Sequence, residues 1–333
     1  MNHDTSRLSS AARSEVIDTL ISKLNAQYVF PTVVEEIALS LRQKQNSALY
    51  DEISDGEELA RTLTAHLQEI SRDKHLAVFY KNSEDGSSTD TIASGHSGDT
   101  GDMGALFNYG FEKVERLAGN IGYLSIHAFF SPSVGVRAAI TATDFIAHTN
   151  TLIIDLRKSG GGELSMVSFL ASYFFTPEPV HLNNIYWRAS NCTQQFWTLP
   201  YIPGQRYVDK PIYILTSRTT SAAAEEFTYD LQSQKRAIVI GEATAGEANP
   251  LEMFQLTARF DCQIPVGRAI NPITGTNWER TGVIPNIEVP QEEAFKTAYM
   301  LALQNVRAGF NGTSTLCQKK LAEEVHHVLA GLE

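Results

Sequence analysis

The sequence predicts an α/β protein with a largely parallel central sheet, and three observations carry that reading. From Gly119 onward, short apolar runs of strand length alternate with longer segments of helical periodicity, the order in which strand–helix–strand units are built. Runs such as Leu152–Ile154 and Ile212–Leu215 are apolar throughout, as buried strands of a parallel sheet are. The composition, 43% hydrophobic and 20% charged over 333 residues, is that of a globular protein with ample surface to bury. Two regions are expected: a small N-terminal helical domain over residues 1–73, and an α/β core over residues 74–333 that carries a polar loop at 81–104.

The elements follow in order. Val16, Ile17, Leu20, Ile21 and Leu24 form one helical stripe, and Leu59, Leu63, Leu67 and Ile70 form another. Between them Thr32 and Glu35 follow Pro31 in a capping-box pattern. These segments are expected to pack as a helical bundle. Leu76–Tyr80 reads as a strand, and the stretch from Lys81 to Gly104, rich in Ser, Gly, Asp and Thr, reads as a loop, either a solvated hairpin tip or a flap near a site. In the core, strands over 121–126, 152–156, 212–215 and 237–240 alternate with helices over about 134–147, 164–174 and 222–233. Residues 253–289 read as strands and turns, and two helices, over about 292–304 and 318–329, close the chain.

Charge and cysteine content narrow the function classes. A formal charge of −11 opposes a phosphate-binding surface, so nucleic acid is not an expected partner. No apolar run approaches the roughly 20 residues of a membrane span, and the first residues lack an apolar signal core. A cytoplasmic protein, or a processed form of a periplasmic or secreted one, is expected. Cys192, Cys262 and Cys317 are odd in number, widely spaced and in no CxxC pair, which gives neither a disulfide framework nor a zinc signature.

The segment Pro211–Glu247 holds the first candidate for chemistry. An apolar run to Leu215 precedes a helical segment in which Ala223, Phe227 and Leu231 recur every four residues, so Ser221 falls where a strand turns into a helix. A serine there is either a helix N-cap or a nucleophile whose neighbouring N–H groups, beginning with Ala222, face developing negative charge. Asp155-Leu156-Arg157-Lys158-Ser159 leads into Gly160-Gly161-Gly162 at a second strand-to-helix junction. That turn is a tight connection, a phosphate cradle lacking both GxGxxG and GxxxxGK[ST], or the source of a second oxyanion donor, Gly161. A serine nucleophile needs a base, and of nine histidines His75 and His127 sit at strand edges. Glu279, beside Trp278 and just before a turn, either orients an imidazole or pairs with Arg280 or Arg268.

Taken together, these motifs resemble a known family. Asp73-Lys74-His75-Leu76, Asp155-Leu156-Arg157 ahead of the three glycines, Thr216 to Glu225, Gly241 to Gly246, and Trp278-Glu279-x-x-Gly282-Val283-x-Pro285-Asn286 occur in the order seen in tail-specific (C-terminal processing) serine peptidases. The branch containing interphotoreceptor retinoid-binding protein is the most similar, and Tyr28-Val29-Phe30-Pro31 resembles its helical lead segment. The resemblance spans about residues 12–290. It implies a core like that of the crotonase and Clp-protease fold, with Ser221 as nucleophile and the Ala222 and Gly161 N–H groups as oxyanion donors. Relatives that use a lysine base have it where this chain has Glu247, which cannot act as a neutral amine. His75 instead matches the histidine of the tricorn-like branch, and Glu279 its orienting glutamate. Residues 81–118 are too few for the PDZ module that many relatives insert.

The resemblance therefore implies a serine-type peptidase that acts on peptide or protein substrates through a Ser221–His75–Glu279 triad, with no metal or organic cofactor and with homo-oligomerisation open. Two alternatives stand beside it. One is a catalytically weak binding module for a retinoid-like or lipid ligand; the other is a crotonase-like acyl-CoA enzyme, which leaves Ser221 and Glu279 without a role.

Overall fold

The computed structural model describes residues 8–81, 104–310 and 315–332. Most of the polar stretch expected as a loop over 81–104 lies outside the described residues. In chain order the helices are α1 (Ser10–Gln27), α2 (Pro31–Asn46), α3 (Gly56–Ser71), α4 (Pro132–Ile146), α5 (Leu164–Ala171), α6 (Ala223–Ser233), α7 (Gln291–Ala308) and α8 (Leu316–Leu332). The strands are β1 (Ala77–Tyr80), β2 (Phe111–Leu117), β3 (Ile121–Ile126), β4 (Thr151–Asp155), β5 (His181–Trp187), β6 (Cys192–Trp197), β7 (Ile212–Thr216), β8 (Ile238–Gly241), β9 (Leu251–Gln255), β10 (Phe260–Pro265), β11 (Gly267–Ile270) and β12 (Ile287–Glu288).

The chain forms two compact units, the first from residues 1–91, 185–194 and 249–269, and the second from the remainder. The first unit thus holds more than the helical segment expected over 1–73, because β1 finds its partners far along the chain. β10 lies between β1 and β9 in an antiparallel sheet, with Val78 opposite Cys262 and Cys262 opposite Phe254. The apolar stripes of α1 and α3 pack with this sheet around Leu20, Leu24, Leu63 and Ile264. Ser9 caps α1 by accepting from the Ala12 N–H at 3.1 Å, and Asp55 caps α3 by accepting from Glu58 at 2.8 Å. The capping box expected at Thr32 and Glu35 does not form. Pro31 occupies the first helical turn of α2, the cap residue is Phe30, and no side chain bonds to the helix start.

The second unit is a six-stranded sheet in the order β12-β8-β7-β4-β3-β2, parallel except for β2, which pairs antiparallel with β3. Alternation along the strands divides its core in two. Ile154, Ile214 and Leu124 face a cluster with Phe169 and Phe227 of α5 and α6, while Ile153, Tyr213 and Leu215 face Ala298, Ala302 and Leu303 of α7. The mixed α/β architecture and mostly parallel sheet agree with the sequence reading. A third sheet runs β11-β5-β6.

Candidate active site

Two strand-to-helix turns of the second unit build the site. The first leaves β4 at Asp155 and enters α5 at Leu164 through the three glycines. Its beginning is clamped: Asp155 Oδ1 accepts from the Arg157 backbone at 3.1 Å and from Nε at 2.9 Å, and Oδ2 accepts from Arg157 Nη2 at 2.6 Å and the Tyr123 hydroxyl at 2.7 Å. Burial pushes the Asp155 carboxyl up, but the bonds from Arg157 and Tyr123 outweigh it and hold the group below the usual carboxylate range. Farther along, Gly161 and Gly162 have φ of +98° and +138°. A Cβ on Gly162 would stand 2.2 Å from the Phe129 carbonyl oxygen, so only glycine lets the turn lie there.

The second turn leaves β7 at Thr216 and enters α6 at Ala223. It is stitched to the first by Thr220 Oγ1 donating to the Leu156 carbonyl at 2.8 Å, Ser217 Oγ to that of Arg157 at 2.5 Å, and the Ser221 N–H to that of Ser159 at 3.1 Å. The cap residue of α6 is Ala222, with φ +49° and ψ −119°. Ser221 lies one position outside the helix, so the serine N-cap reading does not hold. Among the described residues the Ser221 hydroxyl makes no hydrogen bond. The Ala222 methyl lies over the glycine turn: a Cβ built on Gly161 would be 2.7 Å from Ala222 Cβ and 3.2 Å from the Ala223 nitrogen.

This geometry changes one expected donor. The Ala222 N–H, expected to face an oxyanion, donates instead to Glu225 Oε2 at 3.0 Å. Among the described residues neither the Gly161 N–H nor the Ala223 N–H has an acceptor, and these two residues meet where the glycine turn packs on the start of α6. The sequence reading began this helix one residue early, at 222.

It also missed Glu225, which is fully buried. Besides the Ala222 N–H, its carboxyl accepts from the Gly246 N–H at 2.7 Å, the Glu247 N–H at 2.8 Å and the Thr244 hydroxyl. Thr244 Oγ1 in turn accepts from the Val283 N–H at 2.7 Å. Burial raises the Glu225 pKa, against these hydrogen bonds. The signal available in the sequence is a glutamate three residues after the true cap, half of a capping box whose other half alanine cannot supply. Farther along α6, Glu226 and Asp230 are buried and also raised by desolvation; Asn271 donates to Asp230 Oδ1 at 3.3 Å.

Glu279 joins the same framework, accepting from the Ala248 N–H at 2.9 Å through Oε2. The adjacent Trp278 is 1% exposed and packs on Tyr229 with ring centroids 5.1 Å apart. Glu247, at the position where relatives have lysine, is exposed and contributes its backbone N–H to Glu225. His127 touches the glycine turn through its backbone, its carbonyl accepting from the Gly160 N–H at 3.0 Å. His75 belongs to the first unit, where its N–H donates to Asp73 Oδ1 at 3.0 Å and its carbonyl accepts from Gln263 at 3.2 Å. The buried Asp73 also accepts from the Tyr28 hydroxyl at 2.9 Å. The structure therefore brings Ser221, Ala222 and Gly161 together and ties Glu279 to the Glu225 framework, while His75 sits on the other unit. Among the described residues no group of three or more His, Cys, Asp or Glu side chains is placed to hold a metal ion, and no helix is long and apolar enough to cross a membrane.

Comparison with known proteins places this architecture. The family model for peptidase family S41 matches residues 120–289, the whole span of both turns and Glu279. The chain belongs to peptidase family S41. The N-terminal domain found with this family in eukaryotic IRBP matches residues 8–102. A tail-specific protease of Haemophilus influenzae is 27% identical over 195 residues, covering 54% of this chain and 26% of that protein. A carboxyl-terminal-processing protease of Picosynechococcus is 25% identical, covering 55% of this chain and 42% of its own length. The chain thus spans less than half the length of these curated relatives. Among solved structures, the photosystem II D1 C-terminal processing protease superposes with a TM-score of 0.56 at 14% identity, covering 84% of this chain and 94% of that one. The tricorn protease gives 0.52 at 14% identity, covering 98% of this chain and 38% of that one. These superpositions establish the shared fold.

Proposed function

We propose that this S41 family member is a serine-type peptidase whose second unit holds a substrate carbonyl against the Gly161 and Ala223 N–H groups. The observation that carries the reading is this pair of amides without acceptors, one in the glycine turn packed on Ala222 and the other at the helix start next to a serine. In the proposed reaction Ser221 Oγ attacks the carbonyl carbon, and its proton passes to the His75 imidazole. The carbonyl electron pair moves onto oxygen, where the two N–H groups stabilise it. Collapse of the tetrahedral intermediate breaks the C–N bond, and the departing amine takes the proton from His75. Water then repeats the sequence on the acyl-serine and frees the acid. Glu279 acts as a positioning residue, holding the imidazole. The test is labelling by a fluorophosphonate probe together with hydrolysis of a peptide library. Both are expected in the wild type and lost in Ser221→Ala; a label that survives Ser221→Ala removes Ser221 as nucleophile.

One observation favours a second reading, the binding module for a retinoid-like or lipid ligand: the cap of α6 carries a methyl group where a hydroxyl would be best placed. Saturable quenching by retinol or a fatty acid, with no probe labelling at any residue, would rank that reading first.

A further inference from the structure

Ala222 breaks two local rules at once. It holds a non-glycine residue at φ +49° and ψ −119°, a sparsely populated conformation that persists only when the surrounding structure imposes it. It also caps a helix with a side chain that has no acceptor, where Ser, Thr, Asp or Asn is preferred. Local violations of this kind concentrate at functional positions, and a strained strand-to-helix turn is the device by which hydrolase folds lift a nucleophile clear of the sheet.

Two observations connect that strain to residue 222 rather than 221. The Cβ of residue 222 is the side-chain atom that meets the Gly161 turn. The amides without acceptors are those of Gly161 and of Ala223, the residue after 222, and an oxyanion hole at such a turn uses the N–H that follows the nucleophile.

We propose that residue 222 is the position from which this fold delivers its nucleophile, and that alanine there leaves a carbonyl-binding site whose adjacent hydroxyl, Ser221, is displaced by one residue. The inference rests on the reading of the site as a carbonyl site and reassigns the attacking position within it. A hydroxyl at 222 would form the C–O bond as the carbonyl pair moves to oxygen between the two N–H groups, passing its proton to the same base. A misplacement of about 1 Å can cost about 10²-fold in rate, so moving the hydroxyl to the apex restores at least that factor.

The test uses the full chain with Ala222→Ser and Ala222→Cys, and thermal melting confirms that each variant is folded. Ala222→Ser is expected to raise peptide turnover by about 10²-fold or more and to carry the fluorophosphonate adduct on residue 222 in fragment mass spectra. Ala222→Cys is expected to react with a peptide vinyl sulfone at residue 222. A folded Ala222→Ser variant with no gain in turnover, or with its adduct on Ser221, overturns the inference while leaving the peptidase reading standing. Gain in Ala222→Ser over an inert wild type supports the inference and removes Ser221 from the reaction. Folded variants that neither label nor turn over, in a protein that also binds no peptide, overturn the carbonyl-site reading and the inference with it.

Discussion

The glycine turn after β4 and the alanine turn after β7 share a topology and differ in what holds them. The first bends through residues that adopt positive φ at little cost, and its acid, Asp155, is kept ionised by Arg157. The second bends through a strained alanine, and the acids on the helix behind it, Glu225, Glu226 and Asp230, are all raised by burial. The difference separates a turn whose bend rests on glycine from a turn whose bend is held by packing and a buried carboxyl. It also makes the two respond to substitution and pH in opposite ways.

The largest effect is expected where the second turn is anchored. Glu225→Ala leaves three N–H groups and the Thr244 hydroxyl without their acceptor and should cost about 3–5 kcal/mol in urea unfolding. A loss below about 1 kcal/mol would mean that the carboxyl is not the anchor of this turn. Next comes Gly161→Ala, which adds a Cβ 2.7 Å from that of Ala222 at a φ of +98°. Removing access to one oxyanion donor should lower turnover or peptide affinity by about 10²–10³-fold. Gly160→Ala is the matched control, because a Cβ there meets nothing within 4 Å; equal losses from both would dissolve the distinction between the two glycines.

The pH dependence sharpens the same contrast. Glu226 is pushed from 4.5 up to about 7 by desolvation, so its contribution is full below 4.5 and is lost as pH rises toward 7. That loss is at most about 3 kcal/mol, with Asp230 acting in the same direction. Asp155 has the opposite sign: its contribution is present above 3.8 and is lost as pH falls through its lower folded value. Melting temperature should therefore fall between pH 4.5 and 7, and Glu226→Gln with Asp230→Asn should flatten that slope. A flat wild-type profile over the same interval would show that the pair is not neutral in the folded protein. The smallest effect is Ala222→Gly, which relieves the positive φ and should raise stability by about 1 kcal/mol; a decrease would mean that the turn is not strained at that residue.

Sequence periodicity located the buried strands β3, β4, β7 and β8 and the helices between them, because alternating apolar runs and four-residue repeats follow directly from burial. β2 escaped it. Phe111-Glu112-Lys113-Val114-Glu115-Arg116-Leu117 is an edge strand with charge on its open side, and its pattern is too polar to read as buried. At the site, the motif order pointed to the turns after β4 and β7 but set the helix start one residue early. Alanine is a strong helix former and a poor cap, so nothing in Ser221-Ala222-Ala223-Ala224 marks Ala222 as the bend. A positive φ at a non-glycine residue is imposed by packing against Gly161 and by the Glu225 carboxyl, and both are contacts made by the folded chain.

The central claim is that Gly161 and Ala223, and not Ala222, offer the backbone donors of the site. Amide resonances recorded while the protein is titrated with a short peptide bearing a free C-terminal carboxylate test it most directly, because that carboxylate mimics the oxyanion. The Gly161 and Ala223 signals should move together and saturate, while Ala222, bonded to Glu225, stays in place. Movement of Ala222 with Gly161 and Ala223 unmoved, in a sample where the peptide is bound, would contradict the claim.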